Sequence, residues 1–237
     1  LLAACLLLPG APRAQTDGFT PAQRAEIVRI LREALRTDPS ILRNAVAALQ
    51  ADEARAQDRA AQDALAKAGP ALADTQGDPA AGNPHGRVTL IEFYDLHCPY
   101  CRRMAPVMQS LLAARPDLRI VYKDIPILGP GSVLGARAVL AAQKQGGYVK
   151  LQQAIMAGPS QITEDTLRDA AMQAGLDWVR LRRDMDDPAI QARIDANLAL
   201  AQQLGIQGTP AYVVGGAMLA GAMPLADLET AIDRAHG

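Results

Sequence analysis

Apolar positions along the chain change period twice, and the changes divide it into parts. From Pro21 onward, Ile27, Val28, Ile30, Leu31, Ala34 and Leu35 fall on one stripe of a 3.6-residue helix. Thr20-Pro21 supplies a cap followed by proline at the first helical position. Asp38-Pro39-Ser40 interrupts the pattern, and a second stripe runs through Ile41, Leu42, Ala45, Val46 and Leu49. Beyond Gln50 the chain is alanine-rich and charged as far as Lys67, with high helix propensity but little of its own to bury. Such a helix projects as a stalk, covers another subunit or folds back on its own domain, and the sequence leaves these open. Turn signals then crowd together at Gly69-Pro70, Gly77-Asp78-Pro79 and Gly82-Asn83-Pro84. Residues 69–86 are therefore expected to link a helical segment, 15–68, to a domain over 87–237.

In that second part the pattern shifts toward strands. Val88-Thr89-Leu90-Ile91-Glu92-Phe93-Tyr94 is rich in β-branched and aromatic residues and predicts a strand. Met104, Val107, Met108, Leu111 and Leu112 then mark a helix that Pro116 stops, and Leu118-Arg119-Ile120-Val121-Tyr122-Lys123 predicts a second strand. Strand, helix and strand in this order form a βαβ unit with a parallel pair. From about 131 to 204 the chain is helical in pieces, punctuated by Gly146-Gly147, Gly158-Pro159, Gly175 and Asp187-Pro188. Ala211-Tyr212-Val213-Val214, a Gly215-Gly216 turn and Ala217-Met218-Leu219-Ala220 make a hairpin. A final helix from Pro224 to about Ala235 turns Leu225, Leu228, Ala231 and Ile232 inward.

Composition narrows the chemistry. The 237 residues are 49% hydrophobic but only 3% aromatic, so the core must rest on Leu, Ile, Val and Ala. A net charge of −1 argues against a nucleic-acid partner, which would favour a basic patch, and against electrostatic attraction to an acidic membrane. The apolar run from Leu1 to Leu8, followed by Pro9-Gly10 and Ala11-Pro12-Arg13-Ala14, reads as the remnant of a secretory signal peptide over 1–14. The expected location is therefore the periplasm. Leu2-Ala3-Ala4-Cys5 also has the form of a lipoprotein processing box, although the apolar run continues past Cys5 where a polar tether would be expected.

Two of the three cysteines, Cys98 and Cys101, form a C-x-x-C pair. Their disulfide would close a ring too small to stabilise much chain, so its value is reactivity. The strand ending near Asp95 and the helix starting near Pro99 put Cys98 at a helix N-terminus. There, unpaired N–H groups and the helix dipole favour the attacking thiolate. Cys101, one turn further in, is expected to be the buried resolving thiol. A structural zinc site needs four ligands. No second C-x-x-C is present, and the histidines are His85, His97 and His236, so no metal and no cofactor are expected. The seven methionines read as core filler.

The run Phe93-Tyr94-Asp95-Leu96-His97-Cys98-Pro99-Tyr100-Cys101 resembles the active site of the DsbA-like branch of the thioredoxin superfamily. Pro106 matches the helix-kinking proline of that superfamily, Glu92 its buried acid, and Gly208-Thr209-Pro210 its cis-proline loop. The resemblance covers about 88 to 236. It implies an α/β thioredoxin fold with a helical insertion at about 131–204, preceded by an N-terminal helical segment as in DsbA/ScsC-like proteins. It further implies a redox disulfide Cys98–Cys101, a cis Thr209–Pro210 bond facing it, and a substrate surface of Pro99, Tyr100 and Thr209. Glu92, if buried, would relay a proton to or from Cys101. His97, if protonated, would stabilise the Cys98 thiolate, and a spectator role fits it too. The implied activity is disulfide exchange with unfolded or misfolded secreted proteins, restored by a membrane redox partner. The insertion resembles oxidases, whereas Pro99-Tyr100 with Thr209 resembles isomerases. An oligomer through residues 20–68 with isomerase, chaperone or metal-tolerance activity is the alternative.

Overall fold

The computed structural model describes residues 18–73 and 77–236. The expectations for a signal peptide at 1–14 and for lipidation at Cys5 fall outside those residues. By internal contacts the chain divides into two units, 1–56 and 57–237.

The first unit contains α1 (Pro21–Thr37) and the beginning of α2 (Ser40–Ala73). A capping box starts α1. The Thr20 hydroxyl accepts from the Gln23 N–H at 3.3 Å, and the Gln23 side chain accepts from the Thr20 N–H at 2.9 Å. None of the residues of α1 is buried. The apolar residues Ile27, Val28, Ile30, Leu31 and Leu35 of α1, and Ile41, Leu42, Val46 and Leu49 of α2, are each between 38% and 58% exposed.

The second unit is built on one mixed sheet, ordered β1-β3-β2-β4-β5. The central strand β2 (Val88–Tyr94) pairs in parallel with β3 (Leu118–Asp124) through α3 (Pro99–Ala114), the expected βαβ unit. The hairpin of β4 (Ala211–Val214) and β5 (Ala217–Ala220) adds antiparallel strands on the other side of β2. Between β3 and β4 lies the helical insertion: α4 (Pro130–Gln143), α5 (Tyr148–Ala157), α6 (Glu164–Gln173), α7 (Trp178–Asp184) and α8 (Pro188–Gln203). α9 (Leu225–His236) closes the fold.

Strand alternation gives each face of the sheet its own core. Val88, Leu90 and Tyr94 of β2, with Tyr212 and Val214 of β4, join Cys101, Met104 and Leu111 of α3 in the larger cluster. Ile91, Phe93, Ala211 and Val213 face the other way, onto Leu200 and Leu204 near the end of α8 and onto Leu65 and Ala68 of α2. The later part of α2 therefore folds back on its own sheet. Of the alternatives left open for the alanine-rich stretch, its last residues take this one.

The stretch expected as a linker, 69–86, holds the end of α2 and a three-residue strand, β1 (Ala80–Gly82), antiparallel to β3. Gly82 has φ +83°, and a Cβ there would stand 2.5 Å from the Leu118 carbonyl, so only glycine fits. Asp78, whose carboxylate is fully enclosed, is held by Lys123 at 2.5 Å and by Arg193 of α8.

Candidate active site

Cys98 is the N-cap residue of α3, with φ −67° and ψ 122°, and Pro99 occupies the first turn. Its backbone N–H donates to the Asp95 carbonyl at 3.1 Å, and its carbonyl accepts from the Arg102 N–H at 3.0 Å. The N-cap position places the sulfur before the unpaired N–H groups of the helix, as the sequence implied. Both cysteines are free thiols, 4% and 1% exposed for Cys98 and Cys101. The Cys98 thiol donates to the carbonyl of Thr209 at 3.3 Å. The Thr209–Pro210 bond is cis, and Thr209 is half-buried.

Cys101 is harder to ionise than an ordinary thiol, first because it is buried and further because Cys98 and Glu92 lie near. A backbone N–H from Asp95 and the side chain of Thr209 pull the other way. Glu92 is 4% exposed. It shares the face of β2 used by Leu90 and Tyr94, so it points into the cluster that holds Cys101. Burial, with the charge of Asp124 second, raises its carboxyl to about 8. It is therefore an acid that holds its proton at neutral pH. A hole of about 20 Å³ beside it, bordered by Gln109, Gln152 and Gln153, has room for one water.

Asp124 is a second buried carboxyl on the neighbouring strand. Burial raises it to about 7 against the hydrogen bonds from Tyr94 (2.8 Å) and Tyr148 (2.9 Å). His97 is half-buried; its ring lies against Gly131 at the start of α4, and its Nδ1 has no partner among the described residues. Pro99 and Tyr100 are exposed at the start of α3.

Beside the cysteines runs a groove of about 920 Å³. Its walls are Tyr100 and Arg103 of α3, the Thr209-Pro210 loop and Ala60, Ala61 and Ala64 of α2. The Arg103 guanidinium stands 4.5 Å from the centre of the Tyr100 ring. The structure thus brings together Cys98, Cys101, Glu92, Thr209 and Pro210, with Pro99 and Tyr100 at the rim and His97 turned toward α4.

Four residues at or beside the site were not singled out in the sequence. Asp95 accepts from the N–H groups of His97 (2.8 Å), Ile127 (2.9 Å) and Leu128 (3.1 Å), tying the active-site loop to the loop after β3. An Asp two residues before a backbone donor is a turn signature that could have flagged it. Arg102 donates to the carbonyls of Leu96, Met156, Gly158 and Pro159 at 2.9–3.1 Å. Arg103 carries the one charge on the groove wall among the described residues. Tyr212 lies opposite Glu92 in the β2–β4 register and is fully buried, and its hydroxyl has no partner among the described residues. A hydroxyl left so costs about 1–3 kcal/mol.

Comparison with known proteins agrees with this geometry. Residues 89–233 match the family described as DSBA-like thioredoxin domain, and residues 23–56 match the Copper resistance protein ScsC N-terminal domain. A thioredoxin-like oxidoreductase from Silicibacter pomeroyi is 44% identical with a TM-score of 0.65, covering 67% of this chain and 92% of its own. ScsC of Proteus mirabilis, in a transitional conformation, is 30% identical with a TM-score of 0.68, covering 92% of this chain and 97% of its own. Among curated sequences, Na(+)/H(+) antiporter NhaA 3 of Salinispora tropica is 28% identical over 145 residues, 60% of this chain and 22% of the antiporter. The chain spans about a quarter of the length of the curated relatives it matches first.

Proposed function

The chain belongs to the DSBA-like thioredoxin domain family, and from that premise we propose that it is a thiol–disulfide oxidoreductase acting on secreted proteins in the periplasm. The observation that carries this reading is Cys98 at the N-cap of α3, its thiol donating to the Thr209 carbonyl, beside a core into which the buried Glu92 points. In the oxidising direction a substrate thiolate attacks Cys98 of the Cys98–Cys101 disulfide. The bond between the two cysteines breaks, and Cys101 leaves with the electron pair and takes a proton from Glu92. A second substrate thiolate then attacks the substrate sulfur and releases Cys98. In the isomerising direction the dithiol starts, and Cys98 attacks a wrong substrate disulfide. Pro99, Tyr100 and Thr209 line the surface where an extended substrate segment lies, and a membrane redox partner restores the starting state.

The exposed stripes of α1 and early α2 favour a second element of this reading, an oligomer of this chain through those helices. The match of residues 23–56 to the ScsC N-terminal domain supports it. That arrangement favours isomerisation, or a chaperone or metal-tolerance role, over net oxidation.

Insulin reduction and refolding of scrambled ribonuclease test the activity. The protein should be active in at least one, and Cys98→Ala should abolish that activity by removing the nucleophile. Inactivity of the unsubstituted protein in both, with Cys98 reduced and accessible, would overturn the enzyme reading. Light scattering decides the direction, a trimer favouring isomerase and a monomer oxidase.

A further inference from the structure

The buried Tyr212 hydroxyl has no hydrogen-bond partner among the described residues. β4 alternates, so Ala211 and Val213 face one core while Tyr212 and Val214 face the core that holds Cys98 and Cys101. Tyr212 pairs in register with Glu92, and directly opposed side chains of neighbouring strands stand within reach of one another. Phenylalanine would fill the same space without stranding a donor. The hydroxyl is therefore free to take a partner in another state of the site.

The ionisable groups on this face of the sheet are Glu92 and Tyr94 from β2, Tyr122 and Asp124 from β3, Cys98 and Cys101 from α3, and Tyr148 from α5. Burial, then Glu92, Cys101 and Cys98 in turn, hold the Tyr212 phenol well above its ordinary range, so it stays a neutral donor throughout the working pH range. The charge that comes and goes beside it belongs to the cysteines and to Glu92.

We propose that Tyr212 is a positioning residue for the proton relay, donating a hydrogen bond to the Glu92 carboxylate once that group has given its proton to Cys101. This rests on the oxidoreductase reading above. As the substrate thiolate forms its bond to the Cys98 sulfur, the Cys98–Cys101 bond breaks and its electron pair goes to the Cys101 sulfur. The Glu92 proton passes to that sulfur. Tyr212 then holds the bare carboxylate in the dry core, ready to take the proton back when Cys101 attacks in the reverse step. The hydroxyl thus favours the ionised form of Glu92, and its loss makes that carboxyl a poorer base at neutral pH.

The test follows the reduced protein as oxidised glutathione converts it first to a mixed disulfide at Cys98 and then to the Cys98–Cys101 disulfide. Tyr212→Phe should shift the pH profile of the second step upward by about one unit and slow it about tenfold at pH 7, while thermal stability stays level or rises. Tyr212→Phe added to Glu92→Gln should bring no further change. An unshifted Tyr212→Phe profile overturns the proposal if Glu92→Gln does alter the second step. If neither variant alters it, the Glu92 relay itself fails and the proposal with it. Exchange with oxidised glutathione by the unsubstituted protein reports separately on the oxidoreductase reading. Should Tyr212→Phe not fold, pH-difference infrared spectroscopy of the unsubstituted protein serves. Ionisation of Glu92 must then perturb a tyrosine C–O band that is lost in Glu92→Gln, and a silent tyrosine region overturns the proposal.

Discussion

Leu31 in α1 sits on an apolar stripe as regular as that of Leu111 in α3, yet Leu31 is 56% exposed and Leu111 is fully buried. The two helices begin alike, with a proline in the first turn, and differ in what covers them. α3 lies in the crossover between two paired strands and is packed by β3, α5 and α9. In α1 no residue is enclosed. Periodicity marks which face of a helix is apolar, and the partner for that face is a separate matter of topology. The same lesson holds within α2, where Ile41, Leu42, Val46 and Leu49 stay exposed while Leu65 and Ala68 close the second core.

The contrast has measurable consequences. Leu111→Ala should cost about 2–5 kcal/mol in denaturant unfolding, as a cavity in an enclosed core does. Leu31→Glu should leave the unfolding midpoint of the thioredoxin-like unit unchanged and reduce the mass seen by light scattering if α1 covers a second copy. A midpoint lowered as far as by Leu111→Ala would break the comparison.

Burial should also show in the pH dependence of stability. Folding raises the Glu92 carboxyl from its usual 4.5 to about 8. Between those values the folded state binds the extra proton, so this contribution is complete below about 4.5 and is lost as pH rises through about 8. Glu92→Gln should remove that loss, gaining about 2–4 kcal/mol relative to the parent at pH 8 and nothing near pH 4. Parallel stability curves for the two proteins across this window would remove Glu92 from the buried set. The smallest effect is expected at the exposed end. Thr20→Ala breaks the capping box and should weaken α1 by about 1 kcal/mol, seen as faster amide exchange in the first turn of α1, with exchange in β2 unchanged.

Features set by neighbours in sequence were legible. The strand 88–94, the helix stopped at Pro116, the 211–220 hairpin and the C-x-x-C all rest on local pattern, and the structure has them where the pattern put them. Long-range features were not. β1 is three residues beside a proline, too short to alternate, and is a strand because β3 offers it an edge. The landing of Leu65 and Ala68 on the sheet depends on residues far along the chain. Tyr212 reads in sequence as an ordinary β-former, and its register opposite Glu92 exists only once β2 and β4 pair. The loop contacts of Asp95 reach 32 and 33 residues ahead, to Ile127 and Leu128.

Arg102 follows Cys101 directly and spends its guanidinium on four carbonyls, one from the loop before α3 and three from the end of α5 and the turn after it. The insertion is consequently tied to the segment that carries the two cysteines. A lineage that shed α5 would strand a charge beside Cys101, and one that lost Arg102 would leave open carbonyls at a helix end. Removing either leaves polar groups of the other without partners, so a chimera that exchanges the insertion has to preserve these four contacts to Arg102.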